Sequence, residues 1–184
     1  MSRPTHILKH EHRVIEQGLR ALDGMCLNLK TGDNVPQETL SQLLDFIQNF
    51  ADCFHHTKEE KYLFPALGPN LLQKNGEALK FLMEEHEIER TLIADLKSAI
   101  GEYRHGDAEA VGRFIEAANQ YCDHLVNHIR QEEAILFRLA EEVLDETVKA
   151  SLIKSFAQEN AQGGDGVVAK YERLAEELEK IWAV

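Results

Sequence analysis

His55-His56-Thr57-Lys58-Glu59-Glu60-Lys61-Tyr62-Leu63-Phe64 and His128-Ile129-Arg130-Gln131-Glu132-Glu133-Ala134-Ile135-Leu136-Phe137 are two versions of one segment. Each sets a glutamate four residues after a histidine. In an α-helix such a pair lies about 6 Å apart along the axis on one face. A lone histidine precedes each segment: His12 by 43 residues and His86 by 42. The chain is therefore a doubled helical hairpin, each copy bringing one histidine on its first helix and a His-x-x-x-Glu pair on its second.

The apolar residues around these positions recur at the helical period. Leu8, His12, Ile15, Leu19, Leu22 and Leu29 form one stripe, and Leu40, Leu44, Ile47, Ala51, His55, Glu59 and Leu63 a second. Leu79, Leu82, His86, Ile93, Leu96 and Ile100 form a third, and Phe114, Ala118, Tyr121, Leu125, His128, Glu132, Ile135 and Leu139 a fourth. Breaks fall at Thr31–Pro36, Gly68-Pro69-Asn70, His105-Gly106-Asp107 and Gly163–Gly166, clusters that punctuate helices. The pattern predicts helices over 4–30, 37–66, 75–104 and 108–144, with more helix near 146–161 and 167–182. Four long amphipathic helices on short loops make an all-α, up-down-up-down four-helix bundle. Residues 1–145 are expected to form it, and 146–184 to pack on the same domain as accessory helices.

The chain has 184 residues, enough for one domain with a sizeable core. Its net charge of -12 argues against nucleic acid and against an anionic membrane surface. No apolar run approaches the ~20 residues of a membrane span. Cys26, Cys53 and Cys122 are odd in number and widely spaced, which gives no disulfide framework. With no apolar leader at the N-terminus, a cytoplasmic location is expected.

The stripes place His12, His55, Glu59, His86, His128 and Glu132 inside the bundle. At 100° per residue, His10, His56 and Glu60 point outward, and His124 lies one turn before His128 on nearly the same side. A single inward histidine is most simply a hydrogen-bonded core residue. Six inward polar groups are different, because buried carboxylates cost several kcal/mol each unless paired or metal-bound. A metal satisfies all six together, and helices packed about 8–10 Å apart let both pairs converge. Four imidazoles and two carboxylates without thiolate suit Fe, Mn or Zn better than Cu(I). The two-fold repeat fits two ions bridged by Glu59 and Glu132. Tyr62, Tyr121, Cys53 and Cys122 are read as packing residues.

The stretches Glu-His-Arg-Val-Ile at 11–15, Phe-Ala-Asp-x-x-His-His-x-Lys-Glu-Glu-x-x-Leu-Phe-Pro at 50–65, Glu-His-Glu at 85–87 and His-Ile-x-x-Glu at 128–132 resemble those of the hemerythrin-like, HHE cation-binding family over about residues 5–144. The resemblance implies two iron ions with an oxo or hydroxo bridge, and an exchangeable position for O2, NO or peroxide. Oxygen-carrying hemerythrins use five histidines, with His-x-x-x-His on the third helix; here Arg90 follows His86. The four-His, two-Glu set is similar instead to the branch that includes iron–sulfur repair proteins, although those usually carry a cysteine-bearing N-terminal domain. A protein that binds or senses O2, NO or peroxide, or holds iron, is expected. The alternative is a di-iron enzyme or iron donor, acting in peroxide or NO reduction or in iron–sulfur repair.

Overall fold

The computed structural model describes residues 3–71, 76–164 and 166–183, with side chains given outside 69–79. Helix α1 spans Pro4–Thr31, with proline in its first turn and Gly32 in the left-handed region closing it. The second helical run begins with α2 (Gln37–Phe46), passes through π-helical stretches at Ile47–His56 and Glu59–Leu63, and ends in α3 (Phe64–Leu71). The second hairpin is α4 (Gly76–Glu102) and α5 (Ala108–Gln131), the latter capped by the Asp107 carboxylate on the Glu109 and Ala110 amides. A π turn at Glu132–Leu136 then leads into α6 (Phe137–Val143). Helices α7 (Glu146–Gln162) and α8 (Val167–Trp182) follow. Among the described residues there is no strand, and no helix is long and apolar enough to cross a membrane. The fold is an all-α helical bundle.

Two features depart from the sequence expectation. The second helix does not stop near 66 but continues to Leu71. Pro65 interrupts nothing because it falls just after Phe64, whose amide donates five residues back to Glu59, so the missing N–H coincides with the change from π to α bonding. The π turns themselves are the second departure. Their wider turn advances less than 100° per residue, which matters for His56 below. Leu79, expected in the third stripe, lies outside the described side chains.

Apolar burial comes in two pieces. The larger core includes Leu22, Leu40, Phe50, Leu96, Phe114 and Tyr121. The smaller gathers Leu8, Leu63, Phe64, Leu67, Leu82, Leu136, Phe137 and Phe156. Each candidate ligand helix crosses from one core to the other: His12 lies between Leu8 and Ile15, His86 between Leu82 and Ile93, and His128 between Leu125 and Leu136. A polar layer thus separates two apolar ones.

Helix α8 runs along α1. Tyr171, Ala175 and Leu178 join the larger core, and Gln17 and Arg20 both donate to Glu179. The approach is tightest at Gly24, where a Cβ would stand 1.8 Å from the Trp182 carbonyl oxygen. Backbone cannot yield as a side chain can, so Gly24→Ala should cost about 1–3 kcal/mol. At about 2–4 °C per kcal/mol for a chain of this size, thermal melting should fall by several degrees. Gly112→Ala meets nothing within 4 Å and should match or exceed the parent.

Candidate metal centre

The described structure brings the six expected residues together, and all six are 0–1 % exposed. Their donor atoms form two fused groups. One holds His12, His55, Glu59 and Glu132, the other His56, Glu59, His86 and His128, with the donor atoms in each within 4.8 Å of one another. Each carboxylate faces both sides. Glu59 Oε1 lies 3.6 Å from His55 Nε2, and its Oε2 3.6 Å from His86 Nε2. Glu132 Oε2 lies 3.2 Å from His12 Nε2, and its Oε1 3.3 Å from His128 Nε2 and 3.7 Å from His86 Nε2.

The far side of each ring explains why the Nε2 atoms converge. His12 Nδ1 donates to Glu133 at 3.1 Å, and Arg13 donates to the same carboxylate at 2.7 Å. His86 Nδ1 donates to Glu60 at 2.7 Å, with Arg90 on that carboxylate at 2.6 Å. His55 Nδ1 donates to Glu11 at 3.0 Å, and buried Lys58 donates to the other oxygen of Glu11. Three imidazoles are therefore held in one tautomer by a carboxylate that is itself held by a cation, the outer-shell arrangement that orients metal-binding histidines. Phe137 stacks on His12 and Phe64 on His86, at centroid distances of 5.2 and 5.6 Å. In each repeat the segment Glu-Glu-x-x-x-Phe thus offers its second glutamate and its phenylalanine to the lone histidine of the other hairpin.

This tautomer decides what fits between the rings. With Nδ1 carrying the proton, Nε2 presents a bare lone pair. The lone pairs of His12 and His55 face each other at 3.0 Å, with carboxylates beside them. Both oxygens of Glu59 and of Glu132, and Nε2 of His86 and His128, have no hydrogen-bond partner although buried. A cluster of bare acceptors aimed at common points is what a cation satisfies and what an apolar core does not. Without a cation, protons compensate. Burial and the neighbouring Glu132 raise the Glu59 carboxyl well above its ordinary value. Burial alone would raise Glu132 too, but the imidazoles of His128, His12 and His86 hold it well down. Burial disfavours the charged form of His86, yet Glu132 and Glu60 overcome it and push this imidazole up to about 9.

Several neighbours differ from expectation. His10 is exposed and paired with Glu172, as the helical stripe predicts. His56, expected outside, is buried and stacked on His86 at 3.9 Å, because the π turn rotates it inward. Glu60 is part-exposed, but its carboxylate reaches back to His86. His124 is half-buried, stacks on His128 at 6.2 Å and donates to the Glu85 carbonyl, outside both donor groups. Tyr62 donates to Glu159 at 2.6 Å, whereas the fully buried Tyr121 hydroxyl has no partner. Cys122 packs on the core, but Cys53 is exposed. Residues missed in the sequence are the Nδ1 acceptors Glu11, Glu60 and Glu133 and the cations Lys58, Arg13 and Arg90. The doubled Glu-Glu was the signal for two of the acceptors.

Metal affinity should therefore divide by position. Glu59→Ala should remove most bound metal, since both donor groups contain it. Glu60→Gln should weaken binding by about 10–100-fold, the usual effect of losing an outer-shell partner. Metal content after dialysis against graded chelator checks both. Thermal melting should fall by roughly 5–15 °C when one tightly bound ion is stripped, from the linkage between saturation and stability.

Comparison with known proteins agrees with this geometry. The hemerythrin HHE cation binding domain matches residues 3–140 and again 77–181. The iron-sulfur cluster repair protein DnrN of Neisseria gonorrhoeae is 29% identical over 137 residues, which cover 72% of this chain and 85% of that protein. No solved structure matches the chain significantly. Four helices that aim bare imidazoles at two shared carboxylates, in a chain matched over most of its length, place this protein in the hemerythrin HHE cation-binding family.

Proposed function

We propose that the chain holds two iron ions between its hairpins and uses them to bind or sense O2, NO or peroxide, or to hold iron. The observation that carries this reading is the pair of fused donor groups sharing Glu59, with Glu132 also facing both sides. His12 and His55 would hold one ion and His86 and His128 the other, with Glu59 and Glu132 offering a carboxylate oxygen to each side. Imidazole and carboxylate donors without thiolate are compatible with iron, manganese or zinc, and the family resemblance favours iron. Iron at such a position supplies redox chemistry and a coordination place open to a small ligand.

The chain's own residues set the conditions for that chemistry. Glu11, Glu60 and Glu133 keep three imidazoles in the donor tautomer. Phe64 and Phe137 wall the centre toward the smaller core and exclude water. The absence of bulk water inside strengthens every electrostatic contact there. Three free cysteines fit a reducing compartment, in line with a cytoplasmic protein.

A second reading rests on the likeness to DnrN: the centre donates iron or turns over peroxide or NO. Metal analysis and the optical spectrum of tag-free protein test the first step. Two irons per chain, with the near-ultraviolet absorption of an oxygen-bridged pair, are expected; zinc alone, or less than one ion, would overturn the di-iron reading. Stopped-flow mixing of the reduced protein with O2, NO and H2O2 separates the two roles. A reversible adduct supports binding, and repeated consumption with added reductant supports turnover.

A further inference from the structure

The two-fold repeat is broken on one side of the centre. Matching the copies sets Asp52 against Leu125, His56 against Ile129 and Glu89 against Ile15. Leu125, Ile129 and Ile15 are all buried in the larger core, so one half of the molecule fills these three places with hydrocarbon. The other half fills them with an imidazole and two carboxylates. Glu89 is wholly buried, and neither of its oxygens has a hydrogen-bond partner. Helix packing does not call for such a group, since a buried charge without a partner is costly.

These groups form a file from the surface to the centre. At the outer end Asp52 and Glu60 are part-exposed, and Arg90 donates to both, at 3.1 and 2.6 Å. The same guanidinium donates to the exposed Glu87 at 2.7 Å. Three carboxylates around one guanidinium leave that patch net negative, which draws cations. One step inward, His56 turns Nδ1 to Asp52 at 3.3 Å and Nε2 to Glu89 Oε2 at 3.5 Å. A further step reaches the centre, where a ring nitrogen of His56 lies within 4.8 Å of donor atoms of Glu59, His86 and His128. His56 is not a resident donor there. Its ring lies face to face with that of His86, 3.9 Å apart and 13° from parallel, so the two cannot aim a nitrogen at one ion.

We propose that His56 and Glu89 form a transit site, through which a divalent transition-metal cation passes between the Asp52–Arg90 surface and the centre. The proposal rests on the metal-centre reading above. A bare cation crossing a helix bundle carries a large desolvation penalty, which a carboxylate and an imidazole on its path offset. Their separation of 3.5 Å suits one cation bonded to both at about 2.0–2.2 Å. Two donors are too few to keep the ion, because resident sites take about three or four protein groups. Passage needs binding strong enough to admit an ion and weak enough to release it. In the other half, Leu125, Ile129 and Ile15 close the equivalent path with hydrocarbon.

Anaerobic stopped-flow mixing of the metal-free chain with Co(II), whose visible bands report its coordination, tests this. Glu89→Ile and His56→Ile copy the residues of the other repeat and should fold, with metal-free melting at or above the parent. Each should slow Co(II) uptake at least about tenfold, the scale on which charged clefts raise association rates. Release into excess chelator should slow by the same factor, because one path serves both directions, leaving final Co(II) content and affinity those of the parent. Glu89→Gln keeps the shape, removes the charge and should slow both steps as well. Uptake at the parental rate in Glu89→Ile and Glu89→Gln would overturn the proposal. Faster release with weakened affinity would also overturn it, since His56 and Glu89 would then hold the ion rather than pass it. A parent chain that takes up no Co(II) would overturn the metal-centre reading itself, and the proposal with it.

Discussion

Glu59 and Glu132 sit at the middle of the bundle with no exposed surface and with imidazoles on every polar side. Two carboxylates brought this close and kept from water repel one another, and each carries a desolvation penalty of several kcal/mol. Nothing apolar in the two cores offsets that. The arrangement is stable only if positive charge enters between them, as protons or as metal. The outer groups are placed accordingly. Glu11, Glu60 and Glu133 withdraw the imidazole protons to the far side, so the near side favours metal over proton.

The same constraint accounts for the backbone. Straight α-helices set the two members of a His-x-x-x-Glu pair in one column, which suits a single contact line. The helices here widen into π turns at Ile47–His56, Glu59–Leu63 and Glu132–Leu136, all at or beside the donors. Such turns are uncommon and recur at functional sites. Here they let consecutive residues, His55 and His56, both reach the interior. The cation-held carboxylates then fix the rings that the widened backbone delivers.

Much of this was legible in the sequence, for a definite reason. The long helices and most of their limits follow from apolar period and from Pro/Gly punctuation, though not the end of the second run, and the doubled His-x-x-x-Glu segment points to the two-fold donor set. What escaped was whatever depended on turn geometry or on contacts between hairpins. His56 looked solvent-facing because a uniform 100° step was assumed through a stretch that does not keep it. Glu60 and Glu133 stood plainly in the repeat, but their partners lie on the opposite hairpin, 26 and 121 positions away. Glu11 and Lys58 pair across 47 positions, and neither carries a local pattern that announces burial. The run of helix through Pro65 was hidden likewise, since it depends on a change of bonding register beside that proline which the sequence does not announce.

The polar layer also divides the molecule mechanically. Apolar contacts hold the larger core on one side of it, while the smaller core of Leu8, Leu63, Phe64, Leu67, Leu82, Leu136, Phe137 and Phe156 closes the other. Proteins open in cooperative pieces whose cost tracks the apolar surface each one buries. By that rule the smaller piece is the cheaper to open, and two of its members, Phe64 and Phe137, are the rings stacked on His86 and His12. Loosening at that end would expose the donor layer first, with the contacts of α8 and the larger core still in place. The fold thereby covers its donor layer with unequal thicknesses of hydrocarbon, and only the thinner cover lays aromatic rings on the donors themselves.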